Sequence, residues 1–354
     1  MKKLLSLILS LFMVLGVSTV TFAADTYTDE ASIDFAKIYK LLNDNVDSPD
    51  ETFNFTIKNY SVTDSQYTID GSNGTDIMPS IKPNSFSIHF ANGEANLVET
   101  TEENGITFVG NKKTANIKLP TYAHVGIFTY EITETAGSTA GVTYDKTPLY
   151  LVVTVSQGEN GLVRTTALHY GNPIGNNKVD GITNTYSAGS LAITKNVTGN
   201  MGEKDRYFEV YVTLNAPTET TEDGKEVVKP VNSIISISGG SYENNPTSIT
   251  VGTPTKFYLK DDETIIIKNI PYDVTYEVEE EDYTGDNYKE EVYTFSNSDK
   301  KIKSANETVN ITNERVTNVD TGILVDNLPY IIILAGVAVG MGVFFMKKRT
   351  ANNN

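Results

Sequence analysis

The chain has 354 residues, a formal net charge of -17, and neither cysteine nor tryptophan. That acidity argues against nucleic acid or anionic lipid as a partner, and without cysteine any covalent brace must come from other side chains. His89, His124 and His169 share no ligand spacing, no glycine-rich phosphate loop follows a strand, and Glu279-Glu280-Glu281-Asp282 lacks EF-hand spacing. No metal, cofactor or separate-substrate enzyme chemistry is therefore expected.

Met1 to Ala23 carries Lys2 and Lys3, an apolar run from Leu4 to Val17, and small residues at its end, the pattern of a signal peptide. Beyond it lie roughly three hundred residues, enough for two domains. Period-two alternation dominates there: Ile33, Phe35 and Lys37 share a phase, as do Phe53, Phe55 and Ile57, and Leu149, Leu151 and Val153. Phe35 to Leu42 also has a faint helical spacing, but a strand is the better reading. Small residues at Tyr186-Ser187-Ala188-Gly189-Ser190 mark a boundary, and Ala216 to Val231 reads as a polar loop. The predicted fold is all-β, with two tandem Ig-like β-sandwich domains over residues 24–187 and 188–316.

The two halves repeat one order of residues. A lysine in the inward phase of an opening strand, a glutamate ending a Tyr-x-x-x-Glu segment and an asparagine in a closing strand occur as Lys37, Glu134, Asn184 and again as Lys195, Glu280, Asn313. Tyr130-Glu131-Ile132-Thr133-Glu134 parallels Tyr276-Glu277-Val278-Glu279-Glu280, and Ile182-Thr183-Asn184 parallels Ile311-Thr312-Asn313. These are the groups needed to make a side-chain amide. Burial disfavours charge on both lysine and glutamate, so the amine becomes able to attack while the acid keeps a proton to donate. Lys40 is the rival to Lys37, but it leaves the phase of Ile33 and Phe35.

Residues 317–354 end the chain with Asn318-Val319-Asp320-Thr321-Gly322, an apolar run over 330–346, and Lys347-Lys348-Arg349. The run is long enough to cross a bilayer core, with the cationic tail on the cytoplasmic side. A permanent membrane anchor is one reading of it. The order of parts resembles a Gram-positive cell-wall sorting signal, which implies sortase cleavage between Thr321 and Gly322. Asn318-Val319-Asp320 departs from the usual Leu-Pro-x that precedes the cut.

Further segments carry a wider likeness. Phe257 to Glu263, Ile265 to Pro271 and Tyr276 to Glu280 in the second half, with Gly126 to Glu134 and Gly141 to Asp145 in the first, resemble the two-domain T-antigen-like major (backbone) pilins of Gram-positive bacteria. The resemblance implies amide bonds Lys37 to Asn184 and Lys195 to Asn313, with Glu134 and Glu280 as assisting acids, each site reacting once. It also implies a wall-anchored surface pilus, built by a class B or C type sortase that joins Thr321 to Lys178 of another copy, with peptidoglycan or a basal pilin at the end of the fibre. Lys178 lies among turn-forming residues in Gly175-Asn176-Asn177-Lys178-Val179-Asp180-Gly181, which predicts exposure. The alternative is an accessory or tip adhesin holding a host surface ligand.

Overall fold

The computed structural model describes residues 28–43, 45–65, 78–96, 101–103, 106–318 and 328–351. The signal segment and Thr321-Gly322 lie outside the described residues. The chain divides into two compact units, residues 1–187 with 229–234 and residues 188–228 with 235–354. Apart from the C-terminal helix the described chain is all-β, as its alternation predicts.

In the first unit, β1 (Ser32–Leu41) runs between β5 (Ile106–Lys118), antiparallel to it, and β11 (Gly181–Tyr186), parallel to it. β4 (Thr101–Glu103) and β7 (Val142–Thr143) complete that sheet at its two edges. The segment with faint helical spacing is thus a strand, and its alternation buries Phe35, Lys37, Tyr39 and Leu41. The second sheet has the order β10 (Lys178–Val179), β9 (Gly161–Tyr170), β8 (Leu149–Gly158), β6 (Gly126–Thr135), β2 (Glu51–Thr63), β3 (Ser85–Phe90). Edge-on aromatic contacts close the core between the sheets, with Phe35 and Phe55 centroids 4.8 Å apart and Tyr39 and Phe53 5.1 Å apart. Where β11 meets β1 the backbones approach so closely that any side chain at position 181 would run into the Ala36 carbonyl, so Gly181 is required there.

The second unit repeats the plan on a smaller scale. β12 (Ala188–Thr198) lies between antiparallel β18 (Thr264–Pro271) and parallel β21 (Asn306–Glu314), with β16 (Ser236–Gly239) and β20 (Val292–Phe295) at the edges. Across the core stand β17 (Thr255–Leu259), β13 (Phe208–Asn215) and β19 (Thr275–Glu280). β12 buries Leu191, Ile193 and Lys195 completely, β13 buries Phe208, Val210 and Val212, and Lys195 Nζ lies over the ring of Phe208.

Two local expectations change. The stretch read as a polar loop contains a hairpin, β14 (Thr218–Thr220) paired with β15 (Glu226–Val228). Asp223-Gly224 supplies its turn, with Gly224 at φ +79°, and its strands read Thr-Glu-Thr and Glu-Val-Val. The following residues, 229–234, group with the first unit, where the Pro230 carbonyl accepts from Ala140 N–H at 2.9 Å. Lys178 is exposed as expected, but it lies in a two-residue strand paired to β9 rather than in a free turn.

At the C-terminus α1 (Leu328–Ala351) contains an 18-residue window, Tyr330–Lys347, with mean hydropathy 2.0, and it is the one helix among the described residues long and apolar enough to cross a membrane.

Candidate functional sites

Both lysines occupy the same place in the topology. Lys37 on β1 stands opposite Ile182 of its parallel partner, and Asn184 stands two residues further along, opposite Tyr39. On β12 Lys195 stands opposite Ile311, and Asn313 two residues further along, opposite Val197. Side chains two apart on a strand share a face, so each lysine meets its asparagine diagonally across a parallel pair. The glutamate arrives from the opposite sheet, Glu134 on β6 and Glu280 on β19. Lys40 lies outside this constellation, opposite Gly110 and Thr185.

In the first cluster the carboxylate of Glu134 bridges the other two groups. Lys37 Nζ donates to Oε2 at 2.6 Å, and the Asn184 amide donates through a short hydrogen bond to Oε1. Oδ1 of Asn184 accepts from the backbone N–H of Asp145 at 3.0 Å. Both charged side chains are shut off from solvent. Phe53 and Phe55 of β2 wall the site, their ring centroids 4.3 and 5.7 Å from Nζ.

In the second cluster Lys195 Nζ donates directly to Oδ1 of Asn313 at 2.7 Å. Glu280 Oε1 lies 3.2 Å from Nζ, yet neither carboxyl oxygen completes a hydrogen bond of good geometry. The ring of Phe208 lies 4.4 Å from Nζ, and the Glu280 backbone N–H is held by the Tyr293 hydroxyl at 2.8 Å.

Burial governs the ionisation of both sites. It lowers Lys37 to about 8, against the opposing pull of Glu134, and lowers Lys195 in the same direction against Glu280. Burial likewise raises both glutamates, with the facing lysine opposing it. Removing both partners from water therefore shifts each toward its neutral form, the amine downward and the acid upward. A neutral amine is a nucleophile, the asparagine carboxamide is an electrophile, and a neutral carboxylic acid can pass a proton between them.

The sequence names these six residues but not their surroundings. Alternate phenylalanines at Phe53 and Phe55 were legible as a buried strand face without any sign that they wall a lysine. Asp145 lay inside the Gly141 to Asp145 segment with no role attached to it. The histidines fall elsewhere: His89 pairs with Asp50 at 3.1 Å and His169 with Asn177 at 3.1 Å, and no cluster able to hold a metal occurs among the described residues.

The chain is similar to several known proteins. Residues 36–187 match the family described as Spy0128-like isopeptide containing domain, and residues 189–315 match a domain family of unknown function, DUF7601. A curated pilin of Streptococcus pyogenes serotype M1 is 26% identical over 356 residues, covering 95% of this chain and 97% of the relative. The crystal structure of the major pilin from Streptococcus pyogenes aligns with TM-score 0.49 and 21% identity over 82% of this chain and 100% of the other. The T3.2 major pilin of the same species aligns with TM-score 0.47 and 22% identity, over 81% and 99% respectively.

Proposed function

We propose that this chain, which belongs with the major pilins of Gram-positive bacteria, is the shaft subunit of a covalently polymerised surface pilus whose two domains each close an internal amide bond. Lys37 joins Asn184 and Lys195 joins Asn313, with Glu134 and Glu280 as the assisting acids. The observation that carries this reading is the repetition of one buried geometry, lysine and asparagine two register steps apart on first and last strands with a glutamate facing them, in both units.

The chemistry is self-modification. Folding supplies the proximity that replaces a bimolecular encounter, and each bond releases one ammonia. Sortase then transfers the carboxyl of Thr321 to Lys178 of another copy, and the apolar helix with its basic tail retains the precursor at the membrane until that cut. An exposed Lys178 at a sheet edge suits an acceptor reached by an enzyme-bound thioester.

Tension entering at Lys178 and leaving at Thr321 passes along β11 into β12 and out along β21. A bond between Lys195 and Asn313 routes it past everything between them. In the first domain the Lys37 to Asn184 bond holds the loaded last strand to its neighbour.

A boiled, denaturing immunoblot of cell-wall extracts tests the assembly. The wild type gives a ladder of large species that collapses to monomer in Lys178→Ala. An unchanged ladder moves the link to another lysine, and a single band in both strains contradicts a shaft role.

A further inference from the structure

The first cluster holds a polar contact that the lysine, glutamate and asparagine do not account for. Asn184 Oδ1, the oxygen that gains charge if its carbonyl carbon is attacked, already accepts the backbone N–H of Asp145 at 3.0 Å. Asp145 lies between β7 and β8, and its carboxylate is anchored twice. Thr147 N–H donates to Oδ1 at 2.9 Å, and the Tyr170 hydroxyl at the end of β9 donates to Oδ2 at 3.0 Å. The Tyr170 backbone N–H is in turn bonded to the Asn177 carbonyl. In the second cluster the corresponding oxygen, Asn313 Oδ1, receives its hydrogen bond from the attacking lysine itself.

Resting on the amide-bond reading above, we infer that the Asp145 backbone N–H is an oxyanion donor for bond formation in the first domain, and that the Asp145 carboxylate is a positioning group holding that N–H in place through Thr147 and Tyr170. The lone pair of neutral Lys37 Nζ forms the new bond to Asn184 Cγ, and the carbonyl electrons move onto Oδ1, toward the Asp145 N–H. The carbonyl then re-forms, the Cγ–Nδ2 bond breaks, and Nδ2 leaves as ammonia with a proton carried from Nζ by Glu134, whose oxygens touch both nitrogens. A backbone dipole fixed before reaction needs no reorganisation as charge develops, the condition under which such donors act most strongly.

The test follows the mature chain, purified unfolded and without internal bonds, as it refolds. The Lys37–Asn184 and Lys195–Asn313 linked peptides are quantified separately by mass spectrometry over time. Asp145→Ala slows the first bond by about tenfold, less than outright loss of an oxyanion donor costs, while the second bond in the same molecules keeps its wild-type rate. Asp145→Asn, whose single side-chain oxygen can take the place of Oδ1, within reach of both Thr147 N–H at 2.9 Å and the Tyr170 hydroxyl at 3.2 Å, restores the rate. Tyr170→Phe, which removes one anchor from a side chain that solvent reaches, slows it by a smaller factor. Asp145→Ala and Tyr170→Phe both at the wild-type rate would overturn the inference, as would an Asn variant as slow as the Ala one. Absence of the Lys37–Asn184 peptide in wild type would instead remove the amide-bond reading on which it rests.

Discussion

Lys195 and Asn313 sit on adjacent parallel strands with Nζ 2.7 Å from Oδ1 and both side chains buried. They are 118 residues apart in sequence, so a bond between them would enclose almost the whole second domain. Force applied at the start of β12 and the end of β21 would travel through β12 to Lys195, across to Asn313, and out.

Single-molecule stretching reads that path directly. Lys195→Ala should add an unfolding step of roughly 400 Å, the extended length of about 118 residues, that wild type lacks. Equal extension before failure in the two proteins would refute the bypass.

The first bond should show at equilibrium as well. Asn184→Ala leaves the Lys37 and Glu134 pair in place but removes the closure, which by the loop-entropy estimate used for disulfides is worth about 5 kcal/mol for a loop of about 150 residues. Chemical denaturation of wild type and variant should differ by that order, and reductant should leave the difference unchanged. A midpoint in the variant equal to wild type would show that the first domain carries no bond.

Bond formation in the first domain should have a bell-shaped pH profile. The reactive pair needs one shared proton, with the amine neutral and the acid protonated. Below the lower ionisation of the pair a second proton charges Lys37. Above its upper ionisation the shared proton is gone and Glu134, whose carboxyl burial raises against the pull of Lys37, can no longer donate. Rates of appearance of the linked peptide should therefore fall on both sides. A rate that only rises with pH, with no alkaline fall, would contradict a proton-donating Glu134.

How much of this was readable from residues alone varies by element. The strand faces carrying Phe35, Lys37 and Lys195 were legible because a half-buried strand imposes strict alternation, and the paired order of lysine, glutamate and asparagine was visible as a repeat. The parallel register that sets Asn184 opposite Tyr39 and Asn313 opposite Val197 was not, since it depends on which strands become neighbours after long connections. The hairpin at Thr218–Thr220 and Glu226–Val228 was missed because its strands are three residues long and bury no apolar face, Val227 and Val228 both being exposed, which leaves only the Asp223-Gly224 turn as a signal. Asp145 escaped notice because its contribution is a backbone N–H, which no side-chain motif encodes.

Glu307 makes a separate prediction for acid. It is 3% exposed on β21. Burial raises its carboxyl, but hydrogen bonds from Ser296, Ser304 and Asn297 outweigh that and hold it below the usual glutamate range. A depressed carboxylate contributes stability above its unfolded ionisation, near 4.5, and loses it as pH falls through the folded value. Glu307→Ala should cost about 2–3 kcal/mol at neutral pH and flatten the acid limb of second-domain stability below that point. An acid limb unchanged in the variant would place the sensitivity elsewhere.

The central claim is covalent, and intact mass spectrometry of the purified, denatured mature chain tests it most directly. The account predicts a mass lower than that of the sequence by two ammonias, reduced to a one-ammonia deficit in Glu134→Ala or Glu280→Ala and to none in the double variant. The full mass of the unmodified chain in wild type would contradict it.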